Sequence, residues 1–349
     1  MVRGFLPSRP VRLGLVCAQR LLWLLLLLLG TPGQAAPAYE TVKLGGVRYV
    51  AMTDFAARFG LDFKQVDANG AKFQLASKWT KVEFTVGSRE CAVNGLRVFM
   101  GEGVRGYKGR PYLSAIDVET LLAPMLRPGL DQPVVPRLKT IVIDPGHGGR
   151  DSGKTNPGLK LQEKRLTLDT ARRLKKILTS RGYKVVLTRD SDRYLELTDR
   201  AAVAVQANAD LFISVHFNSV ASRADQVTGI EVYTLTPQYQ YSTGDEGRVA
   251  RDTQTANPGN VNDHWNSVLG YSLHRTLQDK LKVEDRGLKR ARFAVLHRAH
   301  CPAVLVEGGF VSNSVEARKL AQPAYREQLA QAMAEGVRSY DLALAGARK

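Results

Sequence analysis

Residues 141–153 read IVIDPGHGGRDSG, in which three branched apolar residues precede an acid, a proline and a histidine set among glycines. The apolar run predicts a buried strand over residues 140–144, and the glycines predict a sharp turn directly after it. His147 therefore stands where a strand ends in a turn. Taken alone, the fragment fits a phosphate-binding loop or a plain tight turn as well as a metal ligand.

Strand and helix patterns alternate along the chain on the C-terminal side of this stretch. The predicted helices cover 164–178, about 197–207 and 263–281, with further helices up to about residue 344. The predicted strands cover 140–144, 184–188, 211–216, 230–233, 293–296 and 303–307. This alternation predicts an α/β fold with a mostly parallel or mixed sheet and helices on both faces.

Three prolines and a glycine in MLRPGLDQPVVPRLK, residues 125–139, indicate a domain boundary. We predict a small α+β domain over 39–126, a linker over 127–136 and the α/β domain over 137–349. The small domain alternates short strands with turns and two short helices. It resembles the small domain at the N-terminus of some copper amine oxidases and in many secreted wall proteins, which implies a wall-binding or spacer role.

The N-terminus has the layout of a secretory signal peptide over residues 1–38. Arginines precede a leucine-rich run over 21–29, and small residues follow at Ala36 and Ala38. The run is too short for a bilayer-spanning helix, and no membrane span is predicted after it. We therefore expect a periplasmic or secreted protein. Cys17 precedes the apolar run, where a lipid-attachment cysteine would not lie.

The chain carries 50 Lys and Arg against 33 Asp and Glu, a net charge of +17. Such a charge favours an anionic partner, for example a wall polymer or lipid head groups, although it also serves solubility alone. No RNA-binding aromatic motif or zinc finger is present, so nucleic acid is not an expected partner. Beyond the leader only Cys91 and Cys301 remain, in different predicted domains, and we expect both to be free buried thiols.

Three predicted strands end on a polar residue, at His147, His216 and Glu307. Sites in open α/β sheets form at the carboxyl ends of strands, so these residues converge if their strands are parallel neighbours. Glu163 joins them at the start of the next helix. Two histidines and one carboxylate form a common open zinc site, and the second carboxylate is free to act as a base.

Each of these residues has a plainer explanation when considered separately. His216 also fits a hydrogen-bonded core histidine, and Glu163 also fits an acid that stabilises the first helical turn. Glu307 follows four apolar residues and needs a partner if it is buried. The remaining histidines, His264, His274, His297 and His300, are weaker metal-ligand candidates because of their spacing or their arginine neighbours.

The segments IVIDPGHGGRDSG, LQEKRLTLD, LFISVHFNS, GIEVYTL and RARFAVLHRAHCPAVLVEGGFVSN occur in this order. Over about residues 138–343 the chain resembles the zinc-dependent N-acetylmuramoyl-L-alanine amidases. The resemblance implies one zinc ion held by His147, Glu163 and His216, with Glu307 serving in catalysis. It implies hydrolysis of the amide between the lactyl group of muramic acid and L-alanine in peptidoglycan, and it leaves open whether a protein activator is a partner.

Two further residues are candidates for substrate contact or support of the metal ligands, namely Asn218 and Asp151. Residues 236–262 lengthen the connection after GIEVYTL, and their polar composition predicts a loop beside the cleft rather than an autoinhibitory helix. Two alternative functions are a catalytically silent wall-binding protein and a different zinc hydrolase, such as a carboxypeptidase or a deacetylase. The intact set of four site residues disfavours the first, and the motif order disfavours the second.

Overall fold

The computed structural model describes Met1 and residues 39–132, 134–245 and 254–349. The predicted signal peptide lies almost entirely outside these residues. Within them, no helix combines the length and the apolar character that a membrane crossing requires. Thr41–Lys349 forms one compact unit, and the strands and helices below all belong to it.

The strands and helices have the following bounds. The strands are β1 Thr41–Leu44, β2 Val47–Ala51, β3 Asp62–Gln65, β4 Lys72–Ala76, β5 Lys81–Thr85, β6 Glu90–Val93, β7 Leu96–Phe99, β8 Arg105–Tyr107, β9 Arg110–Ser114, β10 Thr140–Pro145, β11 Thr155–Asn156, β12 Leu161–Gln162, β13 Lys184–Leu187, β14 Leu211–Asn218, β15 Ile230–Leu235, β16 Asp285–Ala291 and β17 Ala303–Phe310. The helices are α1 Met52–Phe59, α2 Ala115–Asp117, α3 Ala123–Leu126, α4 Glu163–Ser180, α5 Leu197–Gln206, α6 Asp263–Leu281, α7 Ala294–His297, α8 Ser314–Ala321 and α9 Pro323–Ala347.

An eleven-stranded mixed sheet organises the molecule, in the order β13-β10-β14-β17-β15-β16-β7-β6-β5-β4-β3. The four strands β13, β10, β14 and β17 are parallel neighbours, so their carboxyl ends meet at one edge of the sheet. Strand β15 pairs antiparallel with β17 and parallel with β16. The predicted α/β class with a mixed sheet is confirmed.

Helices cover both faces of the sheet. On one face, one residue from each of three strands, β10 Val142, β14 Phe212 and β17 Leu305, packs with Ala204 of α5 and Leu296 of α7. Helix α9 packs on α6 and α4, which contact strands β15 and β14 respectively. Adjacent residues of a strand point to opposite faces, and consecutive apolar residues of β14 are buried. Both faces of the sheet are therefore covered at β14.

One predicted strand is wrong. Residues 293–296 were predicted as a strand from their apolar character, but Ala294–His297 is a helix and the strand lies earlier, at Asp285–Ala291. Residues 285–291 read DRGLKRA and contain a single large apolar residue, Leu288. A strand can be this polar because Leu288 faces the core while Lys289 points to the opposite, partly exposed face.

The N-terminal strands continue the large sheet rather than forming a separate one. Leu288 of β16 pairs in parallel with Val98 of β7, and β6, β5, β4 and β3 follow outward from β7. The strands β1, β2, β9 and β8 form a second sheet of four strands. The sequence pattern did not anticipate this continuity, and the domain boundary at 127–136 stays a prediction. Cys91 and Cys301 are free and buried, as predicted.

The connection after β15 does not lie beside the cleft. Because β15 runs antiparallel to β17, Glu231 pairs with Glu307 while Leu235 lies further toward the opposite edge of the sheet. Residues 236–245 leave the sheet at that opposite edge, so the predicted position is wrong for this segment. Residues 246–253 lie outside the described part of the chain.

Two arginines, of which Arg89 is half-buried and Arg290 is buried, hold this connection against the N-terminal strands. The guanidinium of Arg89 donates hydrogen bonds to three backbone carbonyl groups within 241–245. Arg290 forms an ion pair with Asp117 in which Nη1 and Oδ1 are 2.7 Å apart, and both side chains are almost completely buried. The segment therefore joins the two halves of the sheet far from the edge where β10, β14 and β17 end.

Candidate metal centre

His147 lies in a tight turn that begins where β10 ends. Its φ is +61°, a left-handed conformation that non-glycine residues seldom adopt. The turn is closed by two backbone hydrogen bonds between Gly148 and Asp151, with N···O distances of 2.9 and 3.1 Å. Backbone strained in this way persists only where the surrounding structure enforces it.

Two glycines leave the space that the histidine rings occupy. A Cβ atom on Gly146 would overlap the ring of His216. A Cβ atom on Gly153, whose φ is +62°, would lie 2.6 Å from His147 Cδ2 and 2.7 Å from Glu163 Oε2. These contacts are shorter than van der Waals packing permits, so both positions require glycine if the two imidazoles are to converge.

Glu163 brings the two imidazoles together. Its Oε1 atom lies 3.1 Å from His147 Nε2 and 3.0 Å from His216 Nδ1. One ligand atom from each of the three residues lies within 4.8 Å of the others. The rings of the two histidines are 4.9 Å apart and nearly perpendicular. The structure therefore brings together the three residues expected to hold a metal.

Neighbouring groups fix the orientation of these side chains. His147 Nδ1 lies 2.8 Å from Asp151 Oδ2, which leaves Nε2 directed at Glu163. The backbone N–H groups of Lys154 and Phe217 donate to Glu163 at 2.8 and 3.1 Å. Burial raises the pKa of Glu163, but hydrogen bonds from His147 and His216 outweigh it and hold the pKa well below its usual value.

The donor set fits a catalytic zinc ion. Two imidazole nitrogens and one carboxylate are ligands that zinc takes in hydrolases, with a fourth position left for water or substrate. An imidazole that binds metal through one nitrogen commonly donates its other N–H to a carboxylate, and His147 has that partner in Asp151. The ionised Glu163 carboxylate supplies the negative charge that a divalent cation requires.

Glu307 lies in the same row of the sheet as His216. Residue pairing across β14, β17 and β15 places Glu307 between His216 on one side and Glu231 on the other. Its Oε2 atom is buried and has no hydrogen-bond partner within the described residues. Burial raises the pKa of Glu307 well above its usual value, and the charges of Glu163 and Glu231 raise it further.

Glu231 was not identified from the sequence. It is almost fully buried, and its Oε1 atom accepts from Arg286 Nε at 2.8 Å and from Lys289 Nζ at 2.7 Å. Asn218 donates to its Oε2 atom at 3.0 Å, so Asn218 contacts this carboxylate. An acid inside the buried strand GIEVYTL was the available signal, because a carboxylate at such a position needs charged partners.

Two buried arginines that hold the His147 turn were also missed. Arg200 donates to the carbonyls of Pro145 and His147, and it forms an ion pair with Asp144 at 2.9 Å. Arg189 donates to the carbonyls of Pro145 and Gly146. Because the glycine-rich turn cannot satisfy these carbonyls itself, the arginines replace the hydrogen bonds that a regular strand or helix would supply.

Two of the remaining histidines have structural partners elsewhere. His264 Nε2 lies 2.7 Å from the carbonyl oxygen of Pro128, and His274 Nε2 lies 2.7 Å from Asp285 Oδ1. Within the described residues, the cluster of His147, Glu163 and His216 is the one group of three or more such side chains that could hold a metal ion.

Known proteins resemble this chain over the region that carries the site. Residues 141–339 match the family described as N-acetylmuramoyl-L-alanine amidase. The amidase LytC of Bacillus subtilis is 36% identical over 211 residues, which cover 60% of this chain and 37% of LytC. The amidase AmiC of Escherichia coli is 32% identical over 234 residues, covering 61% of this chain and 54% of AmiC.

Solved structures resemble it as well. The amidase AmiC2 of Nostoc punctiforme is 34% identical, with 58% of this chain and 96% of that chain covered and a TM-score of 0.48. The chain spans between about a third and about half of the length of these curated relatives. The match to the family covers more than half of the 349 residues and includes the whole cluster around Glu163. The chain therefore belongs to the N-acetylmuramoyl-L-alanine amidase family.

Proposed function

We propose that this chain is a zinc-dependent N-acetylmuramoyl-L-alanine amidase. Its reaction would be hydrolysis of the amide between the lactyl group of N-acetylmuramic acid and the L-alanine of the stem peptide in peptidoglycan. The single observation that carries the proposal is the convergence of His147, Glu163 and His216 next to a buried, unpartnered oxygen of Glu307. Membership of the family supports the reaction class.

His147, Glu163 and His216 would hold one zinc ion. Zinc in such a site lowers the pKa of a coordinated water and polarises the carbonyl of the scissile amide. Asp151 keeps the His147 ring in the required orientation through the 2.8 Å contact at Nδ1. The buried arginines keep the turn closed, so the ligands need little reorganisation when the ion binds.

Glu307 moves the proton in this mechanism. It accepts a proton from the water that attacks the amide carbonyl and delivers it to the alanine nitrogen as the C–N bond breaks. The products are a free muramoyl carboxylate and a stem peptide with a new amino terminus. In the metal-free chain, burial raises the pKa of this carboxyl well above its usual value, and a higher pKa makes the carboxylate a stronger base.

The remaining parts of the proposal concern location and organisation. We propose that residues 1–38 direct export and are removed, and that the mature chain acts in the periplasm or outside the cell. We further propose that residues 39–126 are a wall-binding or spacer module joined by residues 127–136 to a catalytic domain over 137–349. A requirement for a protein activator stays a prediction.

Product analysis tests the proposal. The mature chain is incubated with purified peptidoglycan sacculi, with added zinc or with a chelator, and the released fragments are identified by mass spectrometry. We expect stem peptides with a free amino-terminal alanine, which disappear with chelator and return with zinc. Trimmed stem peptides would indicate a carboxypeptidase, deacetylated glycan would indicate a deacetylase, and binding without products would indicate a wall-binding protein.

A further inference from the structure

The face of the sheet that carries Glu307 continues past the catalytic centre into the N-terminal strands. Directly paired residues share a face, so Glu231 points to the same side as Glu307. Lys289 of β16 donates to Glu231 and lies 5.8 Å from the centre of the Phe99 ring on β7. Arg97, two residues before Phe99, therefore lies on this face as well. The face thus passes from β17 through β15 and β16 to β7 without interruption.

This face is accessible beyond β16. In β5, β6 and β7, the residues that point to it are partly exposed, whereas the alternate residues are buried in the core. A cavity of about 490 Å³ lies over these strands, and Asp285, Arg97, Glu90 and Glu83 are among its lining residues. We call the part formed by Arg286, Lys289, Phe99 and Arg97 the β16–β7 face.

Packing and cation–π contacts hold the side chains of the β16–β7 face in place. Gly287 has no side chain, and a Cβ atom there would lie 2.6 Å from the Phe99 ring, so the ring rests directly on β16. Arg97 and Lys289 approach the same ring at 5.4 and 5.8 Å. Cations at such distances from a ring are attracted to it, which orders both side chains.

Two cations on the β15 side of this face, Arg286 and Lys289, favour a ligand that carries a carboxylate, whereas acidic side chains line much of the cavity over β5 to β7. Arg286 and Lys289 share the single carboxylate of Glu231, which leaves one positive charge uncompensated. Arg97 is paired with Glu90, but its side chain is 42% exposed and open to a further acceptor. Of the two arms of peptidoglycan that meet at the scissile amide, the stem peptide carries free carboxylates, whereas the sugars of the glycan chain are uncharged.

The length of the face matches an extended peptide. Neighbouring strands are about 4.8 Å apart, so β7 lies three spacings, or about 14 Å, from β17. A fully extended chain covers about 3.3–3.6 Å per residue, so four residues span roughly the same distance. A stem peptide whose first amide lies at Glu307 would bring its third and fourth residues to Phe99 and Arg97.

We propose that the β16–β7 face binds the stem peptide beyond its first residue, with Arg286, Lys289 and Arg97 contacting its carboxylates and Phe99 packing against its backbone. The inference rests on the proposed amidase function and adds a substrate-binding role for strand β7 of the N-terminal segment. It makes Arg97 and Phe99 determinants of which substrates are cleaved well.

Comparing substrates with different stem lengths tests the inference. The ratio of kcat/KM for N-acetylmuramoyl-tetrapeptide to kcat/KM for N-acetylmuramoyl-L-alanine is measured in the full chain with Phe99→Ala, Arg97→Ala and both together. We expect the ratio to fall at least tenfold in the double variant. Thr85→Ala, on the same face two strands further out, is the matched control and should leave the ratio unchanged.

A binding measurement provides a second readout in case the short substrate is not cleaved or a variant does not fold. In a Glu307→Gln background, calorimetry should show tetrapeptide-bearing substrate binding more weakly by a similar factor when Phe99 and Arg97 are replaced, at a temperature at which circular dichroism shows the variant to be folded. An unchanged ratio and unchanged binding would overturn the inference. If the wild-type chain cleaves neither substrate, the proposed function fails instead.

Discussion

Replacing Glu307 by glutamine tests the proposed chemistry most directly. The carboxyl lies beside His216 in the sheet, and its Oε2 atom has no partner within the described residues. Glutamine keeps the shape of the side chain but does not transfer the proton. Loss of a positioned acid–base group costs about 10²–10⁴-fold in rate, or about 2.7–5.4 kcal/mol of activation free energy. We expect kcat to fall by this factor while zinc content and fold are retained.

The same substitution changes how stability depends on pH in the metal-free chain. Burial, followed by the charges of Glu163 and Glu231, raises the pKa of Glu307 in the folded state. The folded chain therefore keeps a proton that the unfolded chain loses above about pH 4.3. The free energy of unfolding of the wild-type chain accordingly declines as the pH rises from there to the pKa that Glu307 has in the folded state. Glutamine does not titrate, and the variant should gain in relative stability with rising pH, as measured by urea denaturation.

Three measurements test the expected effect of Glu307→Gln on turnover. Released stem peptides are quantified by mass spectrometry, bound zinc by elemental analysis and the fold by circular dichroism. Glu335→Gln is the control, because it makes the same chemical change on the remote helix α9, where Glu335 pairs with Arg181. Near-normal turnover by the Glu307 variant, with its zinc content intact, would refute the proposed role of this carboxyl.

Four further substitutions have defined outcomes. Asp151→Asn should weaken zinc binding by about 10–100-fold in chelator competition, because it removes the carboxylate that orients a ligand ring; unchanged affinity would count against that role. Gly60→Ala should lose about 1–2 kcal/mol in urea denaturation from its φ of +62° alone, since a Cβ there meets nothing within 4 Å. Gly153→Ala has the same φ and also places a Cβ 2.6 Å from His147 Cδ2, so it should lose more stability and should also lose zinc. Arg290→Met should cost about 3–5 kcal/mol, because it leaves Asp117 buried without its ion pair; a change below 1 kcal/mol would contradict this.

The strand ends were predictable because the relevant signals are local. An apolar run followed by a polar residue and glycines identifies the end of a buried strand, and parallel strands present such ends at one edge. This reasoning selected His147, His216 and Glu307 from positions 160 residues apart in the sequence. The helix Asp263–Leu281 was predicted with the same bounds, because its apolar periodicity is sustained over five turns.

The supporting residues were not predictable in the same way. Arg189 and Arg200 look like surface arginines in the sequence, yet both are buried and donate to the carbonyls of the His147 turn. Their role follows from where α5 and the end of β13 pack. Glu231 likewise acquires its partners from β16, a strand whose polar composition hid it.

Local pattern was therefore sufficient for the α/β class, for most of the strands and helices and for the residues at the strand ends. The direction of β15, the pairing of Leu288 with Val98 and the position of residues 236–245 depended on the assembled sheet. Strands pair through backbone N–H and C=O groups, which nearly every residue carries. Side-chain periodicity therefore identifies a strand but does not show which strand it pairs with. The pairing of β16 with β7 places Arg97 and Phe99 of an N-terminal strand on the same face of the sheet as Glu307.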